Sequence, residues 1–328
     1  MDPTARVPFG KTSLHVTRLG LGSAPLGNLF QFVPEDESDA TVRRAYDDGL
    51  RYFDTAPDYG WGLAERRFGR VLSALPRDNF VLSTKVGRLI RPGAPTPGSA
   101  WVRGPGQEGV NSFFDFSYDA VMRSVQESLE RLQLDRVDVL FLHDPDDHER
   151  EALEGAYPAL DTLRREGTVG GVGVGMNQVE MLARFARAAD FDCFLLAGRY
   201  TLLEQGALEE LLPLAQQKNI AIAIGGVYNS GILANPDLSP TYNYRQAPAE
   251  LVERARRLGA VCERHGVPLK AAAIQFPFGH PAVTTVLSGA RSVAELEENE
   301  RLLRWPIPAD LWAELKAERL LAEHAPTP

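Results

Sequence analysis

The feature that most constrains this chain is an alternation of eight short apolar runs with longer amphipathic stretches. The runs are Leu19–Ser23, Tyr52–Asp54, Phe80–Lys85, Val137–Leu142, Val169–Gly175, Cys193–Ala197, Ile220–Ile224 and Val283–Leu287. The stretches between them repeat apolar residues with helical spacing. They predict helices over Glu37–Asp48, Leu63–Ser73, Tyr118–Leu132, Glu151–Arg165, Val179–Ala188, Glu204–Gln216, Pro248–His265 and Leu269–Phe276. Ser292–Leu303 follows the last run; Val293–Glu300 and Leu311–Glu323 read as charged outer faces, and Ala325–Pro328 as a frayed tail. Runs such as VDVLFL and IAIAI are apolar on both faces, as parallel strands between a core and covering helices must be. Eight such units predict an α/β fold closed as a (β/α)8 TIM barrel, with residues 1–328 forming one barrel domain. An open dinucleotide-binding sheet would place GxGxxG after the first strand, and GLGSAPLGN lacks that spacing.

Length leaves room for two domains, so the repeat decides. Hydrophobic residues make up 44% and charged residues 24%, the balance of a soluble globular chain. A net charge of -9 argues against nucleic acid or an anionic membrane as partner. Cys193 and Cys262 stand far apart with no metal-ligand spacing, so neither a disulfide nor a metal site is expected. No run approaches the roughly 18 apolar residues of a membrane span. The opening residues lack a secretory pattern, so the expected location is cytoplasmic.

Three departures from the repeat stand out. Arg6–Arg18 reads as an N-terminal β-hairpin turning at Gly10-Lys11, a natural floor for the barrel. Arg88–Phe116, with Trp101, Phe113 and Phe114, and Leu233–Ala247 are long Pro/Gly-rich loops that follow strands. Both are therefore expected on the C-terminal face, where barrel enzymes hold their sites.

Asp54, Lys85 and His143 each close an apolar run, and Tyr59 lies five residues beyond Asp54. A barrel gathers such residues on one rim. A buried lysine needs a partner, and Asp54 can pair with Lys85. An ammonium beside a phenol lowers its pKa from about 10, giving a general acid/base, while a neutral His143 can orient a carbonyl or hydroxyl oxygen.

FDTAPDYGWGLAERRFGRVL resembles the FDTAxxYGxxExxLG pattern of the aldo-keto reductase superfamily, and STKVG, LFLHDPD, GVGVGMNQ and SGARSVAELEEN follow in the family's order. The resemblance covers about Arg18 to Asn299. It implies an NAD(P)-dependent oxidoreductase on a barrel without a Rossmann motif. Its catalytic tetrad falls on Asp54, Tyr59, Lys85 and His143, with no metal. It also implies that Asn177 holds the nicotinamide carboxamide, with Gly22, Ser23 and Asp54 nearby. Val227, Ser230, Gly231 and Leu233 would follow the pyrophosphate. Ser288, Gly289, Ala290, Arg291, Glu295 and Asn299 would wrap the adenosine end. Three positions depart from common relatives: Met176 where a serine precedes the asparagine, Ala197 where a glutamine stands, and Gly225 where a tyrosine stacks on the nicotinamide. Gly289 and Glu295 occupy the places of a lysine and an arginine in NADP-specific relatives, which leans the expectation toward NAD over NADP.

GRLIRPG, LAGRYTLLEQ and GGVYNSGILA resemble the branch of L-fucose and D-threo-aldose 1-dehydrogenases, plant L-galactose dehydrogenases and pyridoxal 4-dehydrogenases. The implied reaction oxidises an aldose at C1 to the lactone. Pyridoxal oxidation and general aldehyde or ketone reduction with NADPH are the alternatives; a non-enzymatic nucleotide-binding subunit is the remote one. Tyr59 and His143 would meet the small-molecule substrate. Trp61, Trp101, Tyr228 and the Tyr242–Tyr244 stretch read equally as pocket walls or as packing.

Overall fold

A computed structural model describes residues 1–328 except 95, 97, 106, 239 and 240. Eight parallel strands close into a barrel: β1 (Leu19–Gly22), β2 (Tyr52–Asp54), β3 (Val81–Val86), β4 (Val139–His143), β5 (Gly171–Met176), β6 (Cys193–Ala197), β7 (Ala221–Gly225) and β8 (Val283–Gly289). β8 hydrogen-bonds to β1, pairing Gly289 with Gly22, so the sheet has no edge.

Alternation along each strand sorts the side chains. In β3, Val81, Ser83 and Lys85 share one face while Leu82, Thr84 and Val86 face the helices. The lower interior is filled by Tyr52, Val81, Val139, Phe141, Cys193, Leu195, Ala221, Ala223 and Leu287. Below them the N-terminal hairpin pairs Arg6–Pro8 with His15–Thr17 and turns at Gly10, whose φ is 60°. Its Phe9 is fully buried, 5.6 Å from the Tyr52 ring. The floor is closed, and the space for a ligand lies at the opposite end.

The helices follow the expected spans closely, with three informative differences. The Glu204–Gln216 segment forms a short turn at Gly206–Leu208 and a helix only from Leu211 to Lys218, because Pro213 fits a first turn and not a helix interior. The Glu151–Arg165 segment widens into a π turn at Ala152–Ala156. There Gly155 lies against the Phe116 backbone, so close that a Cβ would sit 2.5 Å from the carbonyl oxygen. The tail is packed rather than frayed: Ala325 is buried and the Pro326 carbonyl presses on Gly279.

Both long loops hold structure. Arg88–Pro92 pairs with Val110–Phe114 as an antiparallel hairpin, and Trp101 bridges to Leu29. Thr241–Tyr242 pairs with Arg245–Gln246. The parts of these loops at 95, 97, 106, 239 and 240 lie outside the described residues.

Candidate active site

Asp54 ends β2, Lys85 lies near the end of β3, and His143 ends β4, all three buried. Lys85 Nζ donates to Asp54 Oδ2 at 2.6 Å and to the Thr55 carbonyl at 2.9 Å. Ser83, two residues before Lys85 on the same face, donates to Asp54 Oδ1 at 2.6 Å. Each charge is thereby paired and hydrogen-bonded, as groups out of water require.

Tyr59 enters from the loop after β2. That loop can pass only because Gly60, at φ 61°, lies against Gly27; a Cβ there would sit 2.3 Å from the Gly27 carbonyl oxygen. The helix that follows, Leu63–Leu72, is anchored by the fully buried Glu65. Its carboxylate accepts from Thr84 on β3 at 2.7 Å and from Arg131 at 2.6 Å. The half-buried phenol ring then lies with the Lys85 ammonium 4.6 Å from its centroid and the His143 ring edge-on at 5.6 Å. Trp101, brought over by the long hairpin loop, lies at 5.5 Å from the same ring. The four residues expected on one rim are together.

Their titration differs in one respect from the sequence reading. Burial, then the Asp54 carboxylate, pushes Tyr59 well above the ordinary phenol value, with Tyr244, Asp144 and Asp58 acting in the same direction. Lys85 is committed to Asp54 and Thr55 and sits over the ring face, so desolvation outweighs the ammonium. Tyr59 is therefore protonated at neutral pH. Burial, then the cations of Arg88 and Lys85, holds His143 well below its ordinary value, so this ring is neutral. His143 Nδ1 is buried without a partner, and Nε2 lies 3.7 Å from Asp144 Oδ2.

The other side of the rim is nearly bare. Ala197, Gly225, Gly289 and Gly22 end four adjacent strands. A Cβ at Gly22 would meet nothing closer than 3.9 Å, and one at Gly225 would meet only the Leu195 side chain within 3.4 Å; at Gly289, Pro25 closes the space. Buried polar atoms without partners border this floor: Ser23 Oγ, Gln178 Oε1 and Asn229 Oδ1. An open floor with unsatisfied donors and acceptors fits a flat, amide-bearing ring such as nicotinamide. Asn177 stands half-buried at the end of β5 on the same rim.

The remaining expected positions separate into two groups. Ser230 lies in the turn after β7 at φ 60°, its hydroxyl accepting from the Tyr244 N–H at 3.3 Å, with Gly231 beside it. Ser288 is buried in β8, and Arg291, Glu295 and Asn299 lie beyond it. The Arg291 backbone N–H and Nε both donate to Glu295, at 2.8 and 2.9 Å. Burial opposes ionisation of Glu295, but these bonds prevail and hold its carboxyl below the ordinary value. The side chains of Val227, Leu233 and Ala290, in contrast, are fully packed in the core. They can offer a ligand only their backbone.

Two of the residues that could wall the pocket are engaged in other contacts. Trp61 is 4% exposed, its ring covered by the Arg103 guanidinium at 3.7 Å and its N–H on Asn111, so it is packing under the hairpin. Tyr228 donates to Asn299 at 2.9 Å, which ties its hydroxyl to the helix after β8. Tyr242 and Asn243 are likewise tied up, by Arg199 at 3.3 and 3.0 Å. Tyr244 instead lies exposed and tilted against Phe30, 5.9 Å away. The sequence reading missed Ser83, Glu65, Arg88 and Asp144. Ser83 was readable from strand alternation in STK; the others depend on contacts between elements.

The model of the Aldo/keto reductase family matches residues 18–319. The chain belongs to the aldo/keto reductase family. It is 44% identical to a D-threo-aldose 1-dehydrogenase of Pseudomonas sp, over 96% of each chain. It is 42% identical to a pyridoxal 4-dehydrogenase of Microbacterium luteolum, over 96% of this chain and 97% of the other. A glycerol dehydrogenase from Gluconobacter oxydans has the same fold, with a TM-score of 0.77 at 21% identity, covering 99% and 97% of the two chains. Like other aldo/keto reductases, this chain is an NAD(P)-dependent oxidoreductase acting on CH–OH or carbonyl groups. Among the described residues no helix is long and apolar enough to cross a membrane, and no cluster of metal-ligating side chains occurs.

Proposed function

We propose that this enzyme oxidises the C1 hydroxyl of a cyclic aldose to the lactone, with Tyr59, Lys85, Asp54 and His143 as its catalytic group. The observation that carries the reading is the meeting of the Tyr59 and His143 rings, edge-on at 5.6 Å, beside the Lys85–Asp54 pair. The similarity to an aldose 1-dehydrogenase supplies the substrate class.

A dinucleotide held by Asn177, Gly22 and the Ser288–Asn299 segment would supply the hydride acceptor for C1. Tyr59 takes the hydroxyl proton as phenolate, and in the reverse direction returns it. Lys85 holds its positive charge against the phenol ring, stabilising the phenolate when it forms, and Asp54 with Ser83 keeps that ammonium in place. His143, neutral, positions the reacting oxygen through Nε2, the ring nitrogen that is not enclosed. Trp101 and Tyr244 give the mouth aromatic surface for a sugar face. The same surface suits a pyridine ring, and the 42% identity to a pyridoxal 4-dehydrogenase makes pyridoxal the second reading.

Asn177 and the open floor at Gly22 and Gly225 would receive the nicotinamide, and the Ser288–Asn299 segment the adenosine end. Arg291, neutralised by Glu295, is a poor partner for a 2′-phosphate, which supports NAD over NADP.

A panel of L-fucose, L-galactose, D-arabinose and pyridoxal, each with NAD and NADP and read at the reduced-nicotinamide band, tests these assignments together. Aldose turnover with NAD at least equal to NADP is the expected result. Turnover of pyridoxal alone would replace the aldose reading, and a hundredfold preference for NADP would overturn the coenzyme assignment.

A further inference from the structure

Asp144 follows His143 directly and adopts a left-handed conformation at φ 44°, which few side chains other than Asn and Asp accept readily. Its N–H donates to the Gly175 carbonyl at 3.0 Å, fixing the corner at the top of β4 and β5. The carboxylate points into the mouth. Oδ2 lies 3.7 Å from His143 Nε2, and 36% of the side-chain surface stays open.

Arg88 holds this carboxylate in place. Nη2 donates to Asp144 Oδ2 at 2.8 Å, and Nη1 lies 3.5 Å from Oδ2 of Asp58, the residue just before Tyr59. Phe114 of the hairpin lies under the guanidinium, 4.3 Å from ring centroid to Cζ, and Ser112 of the hairpin donates to Asp58. One guanidinium thus ties together the neighbours of both residues that would touch the reacting oxygen.

We propose that Asp144, oriented by Arg88, accepts a hydrogen bond from the hydroxyl on the carbon next to the reacting one, and so selects substrates with vicinal oxygens. This inference rests on the aldose reading above. With the reacting oxygen on His143 Nε2, the oxygen of the adjacent carbon falls one hydrogen-bond length further along, toward Asp144. An ionised carboxylate only accepts, and its bond to a hydroxyl is charge-assisted. A substrate without that hydroxyl would desolvate the carboxylate further while leaving it Arg88 alone as partner. Asp144 is then a specificity-determining residue, and Arg88 a positioning one.

The test compares an aldose with its 2-deoxy counterpart on the wild type and on Asp144→Asn, which tolerates the same backbone. In the wild type, kcat/KM for the aldose should exceed that for the deoxy sugar. In D144N it should fall about tenfold to a hundredfold for the aldose and by no more than about twofold for the deoxy sugar. Arg88→Lys, which keeps the charge and loses the fork, should raise KM for the aldose with a smaller change in kcat. Equal losses on both sugars would overturn the proposal and leave Asp144 as a support for His143. A wild type without preference between the sugars would overturn it too. If the wild type oxidises neither sugar, the aldose reading itself has failed.

Discussion

Two arcs of one rim differ in what their strands present. From β2 to β4 they offer Asp54, Lys85 and His143; from β6 around to β1 they offer Ala197, Gly225, Gly289 and Gly22. The backbone is the same on both sides. In the first arc the buried charges are paired: Ser83 and the Thr55 carbonyl serve the Asp54–Lys85 pair, and Arg88 holds Asp144 beside His143. In the second, the absence of side chains leaves a floor, bordered by the unmatched polar atoms of Ser23, Gln178 and Asn229. One arc is suited to moving a proton, the other to seating a flat ring.

The largest expected effect lies in the polar arc. Tyr59→Phe should lower kcat by about a hundredfold to ten-thousandfold, while dinucleotide affinity by fluorescence titration stays near that of the wild type. Loss of dinucleotide binding in this variant would break the division of labour. Lys85→Met removes one member of a buried pair, so urea denaturation should show a stability loss of about 3–5 kcal/mol, along with lost turnover. An unchanged midpoint would mean that Asp54 finds enough compensation in Ser83.

The raised Tyr59 value fixes the sign of the pH dependence. Below that pKa the phenolate fraction grows with pH, so kcat/KM for oxidation should climb by up to about tenfold per unit into the alkaline range. Reduction uses the protonated phenol, present throughout that range, and should stay flat over it. A flat oxidation profile would remove Tyr59 as the base. The smallest effect belongs to the bare arc. Gly22→Val places a branched side chain on the floor and should weaken dinucleotide binding about tenfold, or about 1.4 kcal/mol. Unaltered affinity would sharpen the comparison by restricting the seat to Gly225 and Asn177.

The polar arc was far more legible in the sequence than the bare one. Asp54, Lys85 and His143 each end an apolar run, and a charged residue after buried ones is conspicuous. All eight strands could be located because runs apolar on both faces have few other uses. Glycine carries no such mark: the openness at Gly22 and the closure of Gly289 by Pro25 appear only once strands and turn are assembled. The direction of the Tyr59 shift was misread for a related reason. The sequence gives the identity of a neighbouring ammonium but not its other commitments or the depth of burial. Arg88 and Asp144 could be paired only once the β3–β4 register was known, which sets them two residues past the partners Val86 and Leu142.

The contact of Gly60 with Gly27 bears on how such an enzyme can change over generations. Tyr59 is seated by main chain pressed on main chain, and a point substitution cannot trim a peptide group. Relocating the phenol would need two loops to move at once, whereas the groups around it, among them Trp101, Tyr244 and Asp144, hang from the long loops and the β4 corner. New substrate preferences are therefore reached by editing the surroundings of a stationary proton carrier.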